Sequence, residues 1–521
     1  MRQIRLDVPF IRRQLADFVV IATHFKSINN CNFGGMGTRA GVSNSEIPAD
    51  AQSLVGYAEG RNGTIKVKVI ASEDTIYQVQ VLKNSETDGI GTPAMDIVPR
   101  RIYEQQSIAV DAMAGATISS EAIKEAVSNA LESGGLDPYK FGGVRVAVST
   151  VAQKVETGTH VTLMTASDWA EEYPDIYASY MQNSENSEVT DYLADYPMLK
   201  VLYEDFGFSK FYSSARGHFY DVKDLTETGR PHAMANCFTC KTANFTAMVN
   251  ELGDSVYSRP FEDVMRDVNE PISCYNCHAN KPGTITVTHS YLVDGVGDDF
   301  ENIDAATLAC GQCHVEYYFD PDSKATALPH SDIDSMNPDD ILAFFNEIGY
   351  VDYTNPRTGV KQIKVQHPEL ETFLSVGSQH RSKYTCADCH MGEATSENGT
   401  VYKSHYLTSP LNNETLIKSE CSKCHTDLVS EVKQLQADVE KRTNEVGNTL
   451  VDLTEKLAAA VNSGKYTDAQ LDEVRSLARD AQFYWDFVFV ENSEGAHNSA
   501  LTYQCLDKAE ALATKALSKL G

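Results

Sequence analysis

The sequence predicts a two-part chain, a small α+β domain followed by a larger, mainly α domain that ends in long helices. Residues 65 to 82 alternate apolar and polar side chains at strand period, and a helical pattern follows at 123 to 131. Five Cys-x-x-Cys pairs, each followed by His or Lys, are spread over residues 237 to 425. From Leu428 to Leu520 almost no Gly or Pro interrupts a helical apolar period that puts Leu435, Val439, Val446, Leu450 and Leu453 on one face.

Residues 1 to 50 give no core. Arg2, Arg5, Arg12 and Arg13 precede an apolar run, Phe18 to Ala22, that is shorter than the apolar region of an export signal. Residues 32 to 50 are rich in Gly, Ser and Asn without an apolar period and read as a tether. Residues 51 to 136 form the first domain. Ile65, Val67 and Val69 alternate with Lys66 and Lys68, Ile76 to Leu82 is a second such run, and Asn62-Gly63 is a turn signal, so a small antiparallel sheet is expected. Asp111-Ala112-Met113-Ala114-Gly115-Ala116-Thr117 then leads straight into a helix with Ile123, Val127 and Leu131 at four-residue spacing, closed by Gly134-Gly135. A threonine among small residues at a helix start suits a phosphate, because free backbone N–H groups and the helix dipole both favour an anion. An ordinary N-cap accounts for the same residues. Residues 137 to 165 read as a linker with one alternating apolar stretch, Val144 to Val151, and residues 166 to 521 as the second domain.

Four of the cysteine motifs, Cys274 to His278, Cys310 to His314, Cys386 to His390 and Cys421 to His425, read Cys-x-x-Cys-His, and Cys237 to Lys241 reads Cys-x-x-Cys-Lys. This spacing is the c-type haem attachment signature. Cys237, Cys240, Cys274, Cys277, Cys310, Cys313, Cys386, Cys389, Cys421 and Cys424 would form thioethers, and Lys241, His278, His314, His390 and His425 would reach five irons from below. Zinc knuckles would need the pairs matched two by two and would leave one over. An amine ligates iron only when deprotonated, so the haem of Lys241 is set apart as the one expected to do chemistry, with the other four as a wire. Each of those four would be capped by a second histidine, and the chain has fourteen histidines to draw on.

Ten of the twelve cysteines are thereby committed, and Cys31 and Cys505 read as free thiols rather than a disulfide. The formal charge of −29 makes nucleic acid and anionic membranes poor partners and favours a cationic redox partner. No stretch is long enough to span a bilayer. Haem c is attached outside the bacterial cytoplasm, so export to the periplasm or another extracytoplasmic face of the envelope is expected. Either the signal is degenerate or the biological start lies elsewhere, and Arg12-Arg13 leaves a twin-arginine signal open.

Two resemblances extend this reading. Residues 52 to 135, through Asp111, Gly115, Ala116 and Thr117, resemble the covalent-FMN domain of sodium-pumping quinone reductase subunits and some bacterial fumarate reductases, although Ala114 stands where Ser or Thr is usual. The resemblance implies FMN on Thr117 through a phosphoester bond made by a flavin transferase. From about residue 166 to the end, Arg216-Gly217-His218, the run Cys310 to Phe319, Lys364 to Glu369, Asp480 to Asp486 and the lysine-bearing motif resemble pentahaem, ammonia-forming cytochrome c nitrite reductases. That likeness implies six-electron reduction of nitrite to ammonium, with Arg230, Tyr317 and His367 around the haem of Lys241. It implies calcium held by Glu316, Gln366 and the carbonyls of Tyr317 and Lys364, all hard oxygen donors. It further implies distal ligands His218 for the haem of His314, His405 for that of His278, His380 for that of His425 and His497 for that of His390. Haem c maturation machinery, a quinol-oxidising or flavoprotein donor at the membrane, and a homodimer through the C-terminal helices complete the expectation. The rivals are a reductase of hydroxylamine, sulfite or a related N or S compound, and a carrier with no substrate.

Overall fold

The computed structural model describes residues 39–521 except 44, 46, 114, 135, 137, 142–147, 190, 207–215, 228–232 and 379. The described chain divides into two compact units, Met1–Gly143 and Val144–Gly521.

The first unit is built on a four-stranded sheet of β1 (Ala40–Gly41), β2 (Gln52–Gly60), β3 (Gly63–Ala71) and β4 (Ile76–Lys83), in the order β1-β4-β3-β2. β2 and β3 form a hairpin in which Gly60 pairs with Gly63, and β4 returns antiparallel beside β3. The period-two pattern turns Ile65, Val67, Val69, Val79 and Val81 onto one fully buried face. Helices α1 (Ala94–Gln105) and α2 (Thr117–Ser133) cover it, the latter through Ala122, Ile123, Ala126, Val127 and Ala130. Gly56 permits this approach, because a Cβ there would lie 1.9 Å from the Ala126 carbonyl oxygen.

Two features of this unit escape the sequence pattern. Ala40–Gly41, within the stretch read as a tether, pairs with β4, since backbone pairing needs no apolar period. α1 carries Pro99 in its interior, which argues against a helix on propensity, yet Ala94, Met95, Val98 and Ile102 bury one face and hold it. Gln106 closes α1 in left-handed conformation at φ 50°, and its amide exchanges two 2.8 Å hydrogen bonds with the Ile76 backbone.

The second unit is mainly helical, with α4 (Ala243–Leu252) among its shorter helices, and ends in α9 (Leu428–Ser463), α10 (Asp468–Phe489) and α11 (Ser499–Leu520), the labels α3 and α5 to α8 being given to further short helices below. Each start is capped by its own sequence: Asp427 accepts from Ser430 N, Thr467 and Gln470 form a capping box, and Asn498 accepts from Leu501 N. The three helices pack on one another around Leu450, Leu453, Phe483, Trp485, Phe487 and Leu506, all buried. Cys505 lies in the same core with a free thiol, whereas Cys31 falls outside the described residues. Part of the stretch read as a linker belongs to this unit. Gln153–Lys154 pairs in parallel with Thr286–Val287. Ser149 and Thr150 donate three hydrogen bonds of 2.6–2.8 Å to Asp304. Val148 and Val151 are exposed, and residues 144 to 147 of that apolar stretch lie outside the described residues.

Candidate redox site

The cysteine motifs sit on short helices or turns, and in a helical turn the second cysteine and the following ligand, three and four residues on, both neighbour the first cysteine. α5 (Cys274–His278) and α8 (Cys386–His390) are single turns, opened by capping boxes from Ser273 and Asn276 and from Thr385 and Asp388. The last motif opens on a 3-10 turn, Cys421–Lys423, and the first follows one at Ala235–Phe238. α6 (Ala305–Gly311) delivers Cys310 to His314. None of the ten motif cysteines is joined in a disulfide.

The motif histidines meet the four partners expected of them. His218 faces His314 with ring centres 6.1 Å apart, His278 faces His405 at 6.3 Å, His380 faces His425 at 6.2 Å and His390 faces His497 at 6.1 Å. A metal about 2 Å from one nitrogen of each ring needs ring centres about 6 Å apart, so the four pairs fit four six-coordinate irons. The outer nitrogens support the fit. Nδ1 of His278, His390 and His405 lies 2.9–3.1 Å from the carbonyl oxygens of Thr284, Thr408 and Lys403. Nδ1 of His425 and His497 lies 2.9 and 2.6 Å from the carboxylates of Glu431 and Glu491. An imidazole held at Nδ1 presents Nε2 to a metal in a fixed orientation. Beside Cys389 and His390 a cavity of about 330 Å³, lined also by Ser404, Tyr406 and Asn412, leaves room for a flat group.

Lys241 differs. Its Nζ lies 3.8 Å from a carboxylate oxygen of the buried Asp221, the first residue of α3 (Asp221–Thr226). The Cys240 thiol comes within 4.8 Å of those of Cys313 and of the His289 ring, so the lysine motif adjoins that of His314.

On the far side of His314 lies His367, with ring centres 6.0 Å apart at 71°. Glu369, the first residue of α7 (Glu369–Leu374), sits between them, one oxygen 3.7 Å from Nδ1 of His314 and 3.9 Å from Nδ1 of His367. Burial alone would raise the Glu369 carboxyl, but the two imidazoles hold it well below the usual carboxylate range. Burial lowers the pKa of His367, with Glu369 opposing.

The oxygen donors expected for calcium converge. Glu316 is fully buried, and its Oε2 accepts from Gln366 N at 2.6 Å while Oε1 has no partner. Burial pushes this carboxyl well above the usual range. The Gln366 amide lies 2.9 Å from the Lys364 carbonyl oxygen. That contact is donated by Gln366 Nε2, and a buried carboxylate with an unpaired oxygen suits a hard cation. Tyr317 and His367 are the immediate sequence neighbours of Glu316 and Gln366, so the same support carries both.

In the first unit Arg101 of α1 donates to the carbonyls of Asp111 and Ala112, and Ser120 Oγ accepts from Met113 N at 3.0 Å. The loop so held places exposed Thr117 at the first position of α2, after Gly115 at φ +82° and buried Ala116. An exposed hydroxyl at the start of a 17-residue helix fits a phosphate ester. Ala114 and Arg230 lie outside the described residues. Sequence reasoning gave no role to Asp221, Glu369 or Asp486, although Asp221 follows His218 closely and Glu369 and Asp486 end two of the runs that carry the resemblance.

Five haem-type motifs and paired imidazoles on a helical scaffold, preceded by a small flavodomain-like sheet, define a multihaem c-type cytochrome, an oxidoreductase. The chain belongs to the cytochrome c552 family, which matches residues 165–521, and residues 60–132 match the FMN-binding domain. Among solved structures it resembles cytochrome c nitrite reductase from Desulfovibrio desulfuricans, a catalytic subunit with two calcium sites. The identity is 27%, the match covers 68% of this chain and 86% of that one, and the TM-score is 0.61. An outer cell wall cytochrome, OcwA, and an undecahaem S-layer cytochrome of Carboxydothermus ferrireducens match at 19% and 18% identity with TM-scores of 0.32 and 0.31. These cover 57% and 58% of this chain and 48% and 41% of theirs. Among the described residues no helix is long and apolar enough to cross a membrane.

Proposed function

We propose that the second unit reduces nitrite to ammonium beside Lys241, with electrons entering through FMN on Thr117. The observation that carries this reading is the sorting of ligands. Four motif histidines each face a second imidazole at 6.1–6.3 Å, while Lys241 faces a carboxylate and His367, 6.0 Å from His314, shares Glu369 with it. The Lys241 haem, when bound, would supply an iron open to substrate, and the four bis-histidine haems would relay to it, one at a time, the six electrons that each nitrite takes from the donor.

The residues of this chain supply position and protons. His367 and Tyr317, with Arg230, surround the substrate, donating hydrogen bonds to its oxygens and protons as they leave. Glu369, held by Asn492, lies 3.9 Å from Nδ1 of His367 and favours the ring orientation that turns its other nitrogen to the substrate. Calcium bound by Glu316, Gln366 and the carbonyls of Tyr317 and Lys364 would keep the two side chains in register. The protein acts in the periplasm or at another extracytoplasmic face as a homodimer, matured by haem c machinery and a flavin transferase, and takes electrons from a quinol-oxidising or flavoprotein donor.

The test is turnover by the haem-loaded chain with a reduced viologen dye, counting nitrite lost and ammonium formed. One ammonium per nitrite is expected, with loss in Lys241, Arg230 or His367 variants. No turnover in a sample holding five haems would refute the reading in favour of a carrier or of hydroxylamine or sulfite as substrate.

A further inference from the structure

We propose that Asp221 is a positioning residue for the Lys241 amine, accepting its N–H when the amine ligates iron and thereby lowering the reduction potential of that haem; this rests on the function proposed above. Asp221 stands one helical turn after His218, so a single short segment carries the distal ligand of the His314 haem and the carboxylate that faces the neighbouring lysine. The carboxylate is 7% exposed, and its one ion pair among the described residues is with Lys241 Nζ at 3.8 Å. The other charged groups on this helix are Asp224, taken up by Arg216, whose Nε donates to it at 2.9 Å, and Lys223, which lies 4.0 Å from Glu227. The remaining charge facing Asp221 is His314, itself a ligand.

A buried carboxylate is unfavourable without a donor, and an amine that gives its lone pair to iron keeps N–H groups to offer, so the pair makes sense as a ligand and its support. An acceptor on the outer hydrogen of a ligating nitrogen fixes its direction and strengthens its donation to the metal, as carboxylates do for ligating imidazoles. The negative charge also favours the more positive ferric state over the ferrous state.

The experiment is an anaerobic redox titration of the haem-loaded full chain, wild type against Asp221→Asn and Asp221→Ser, following the high-spin haem and the low-spin haems separately by magnetic circular dichroism. Both variants are expected to raise the ferrous-to-ferric ratio of the high-spin haem about tenfold at fixed potential, a rise of about 59 mV for one electron, with the low-spin signals unchanged. Either variant suffices if the other does not take up five haems. A high-spin midpoint that does not move overturns the proposal. So does a loss of low-spin amplitude, which would mean that the residue merely supports the turn of His218. A wild type without any high-spin component would remove the proposed function as well, whereas an unmoved midpoint with nitrite reduction intact removes the role of Asp221 alone.

Discussion

Lys364 and Asp486 form an ion pair in the interior of the second unit, with Nζ 3.0 and 3.1 Å from the two carboxylate oxygens and both side chains almost wholly excluded from solvent. Asp486 also accepts from Val365 N at 2.9 Å, so α10 grips the backbone whose Lys364 carbonyl points to the candidate calcium site. The lysine side chain thus anchors the segment whose Lys364 carbonyl accepts from Gln366 Nε2 at 2.9 Å.

Asp486→Asn should leave the Lys364 charge buried without its partner. We expect a loss of about 3–5 kcal/mol in unfolding free energy, the usual effect of breaking a buried pair from one side. Chemical denaturation of the holoprotein measures it. Calcium affinity should fall with it, whereas Glu316→Gln should reduce calcium affinity with a smaller loss of stability.

Removing one imidazole from a pair should open one iron. His405→Ala is expected to convert the haem of His278 from low spin to high spin while the haem content of the chain stays at five. Absorption and electron paramagnetic resonance spectra read both quantities, and an unchanged high-spin fraction would contradict the pairing at 6.3 Å.

Asp304, the N-cap of α6, gives a pH-dependent contribution to stability. Burial works to raise its carboxyl, but hydrogen bonds from Ser149, Ala306 and Thr150 outweigh it, so the folded value lies below the ordinary one. A depressed carboxyl stabilises the fold above the unfolded value of about 3.9 and loses that contribution as pH falls through the folded value. The stability gap between wild type and Asp304→Asn should therefore be flat from neutral pH to about 5 and shrink below about 4. Denaturation midpoints at several pH values check this.

Thr117→Ala should abolish flavin fluorescence that survives denaturing electrophoresis. Nitrite turnover with the physiological donor should fall with it, while turnover with a small artificial reductant should persist. Unchanged turnover with both would exclude electron entry through Thr117.

Much of this organisation was legible in the sequence, because its signals are local. Haem attachment is written in a five-residue motif, a strand in a period of two, and a helix start in a cap such as Asp427 or Thr467. The resemblance to nitrite reductases also supplied the partners of His278, His314, His390 and His425, which no local pattern contains, since His405 lies far along the chain from His278. Local signals failed where tertiary packing overrode them. α1 holds despite Pro99 because its apolar face lies on the sheet, and Ala40–Gly41 is a strand because β4 offers it an edge. Only the folded chain could decide that Asp221 faces Lys241, that Glu369 stands between two imidazoles and that Asp486 holds Lys364. Such contacts depend on burial, which makes a charge seek a partner wherever the fold brings one within reach, and sequence distance does not record that.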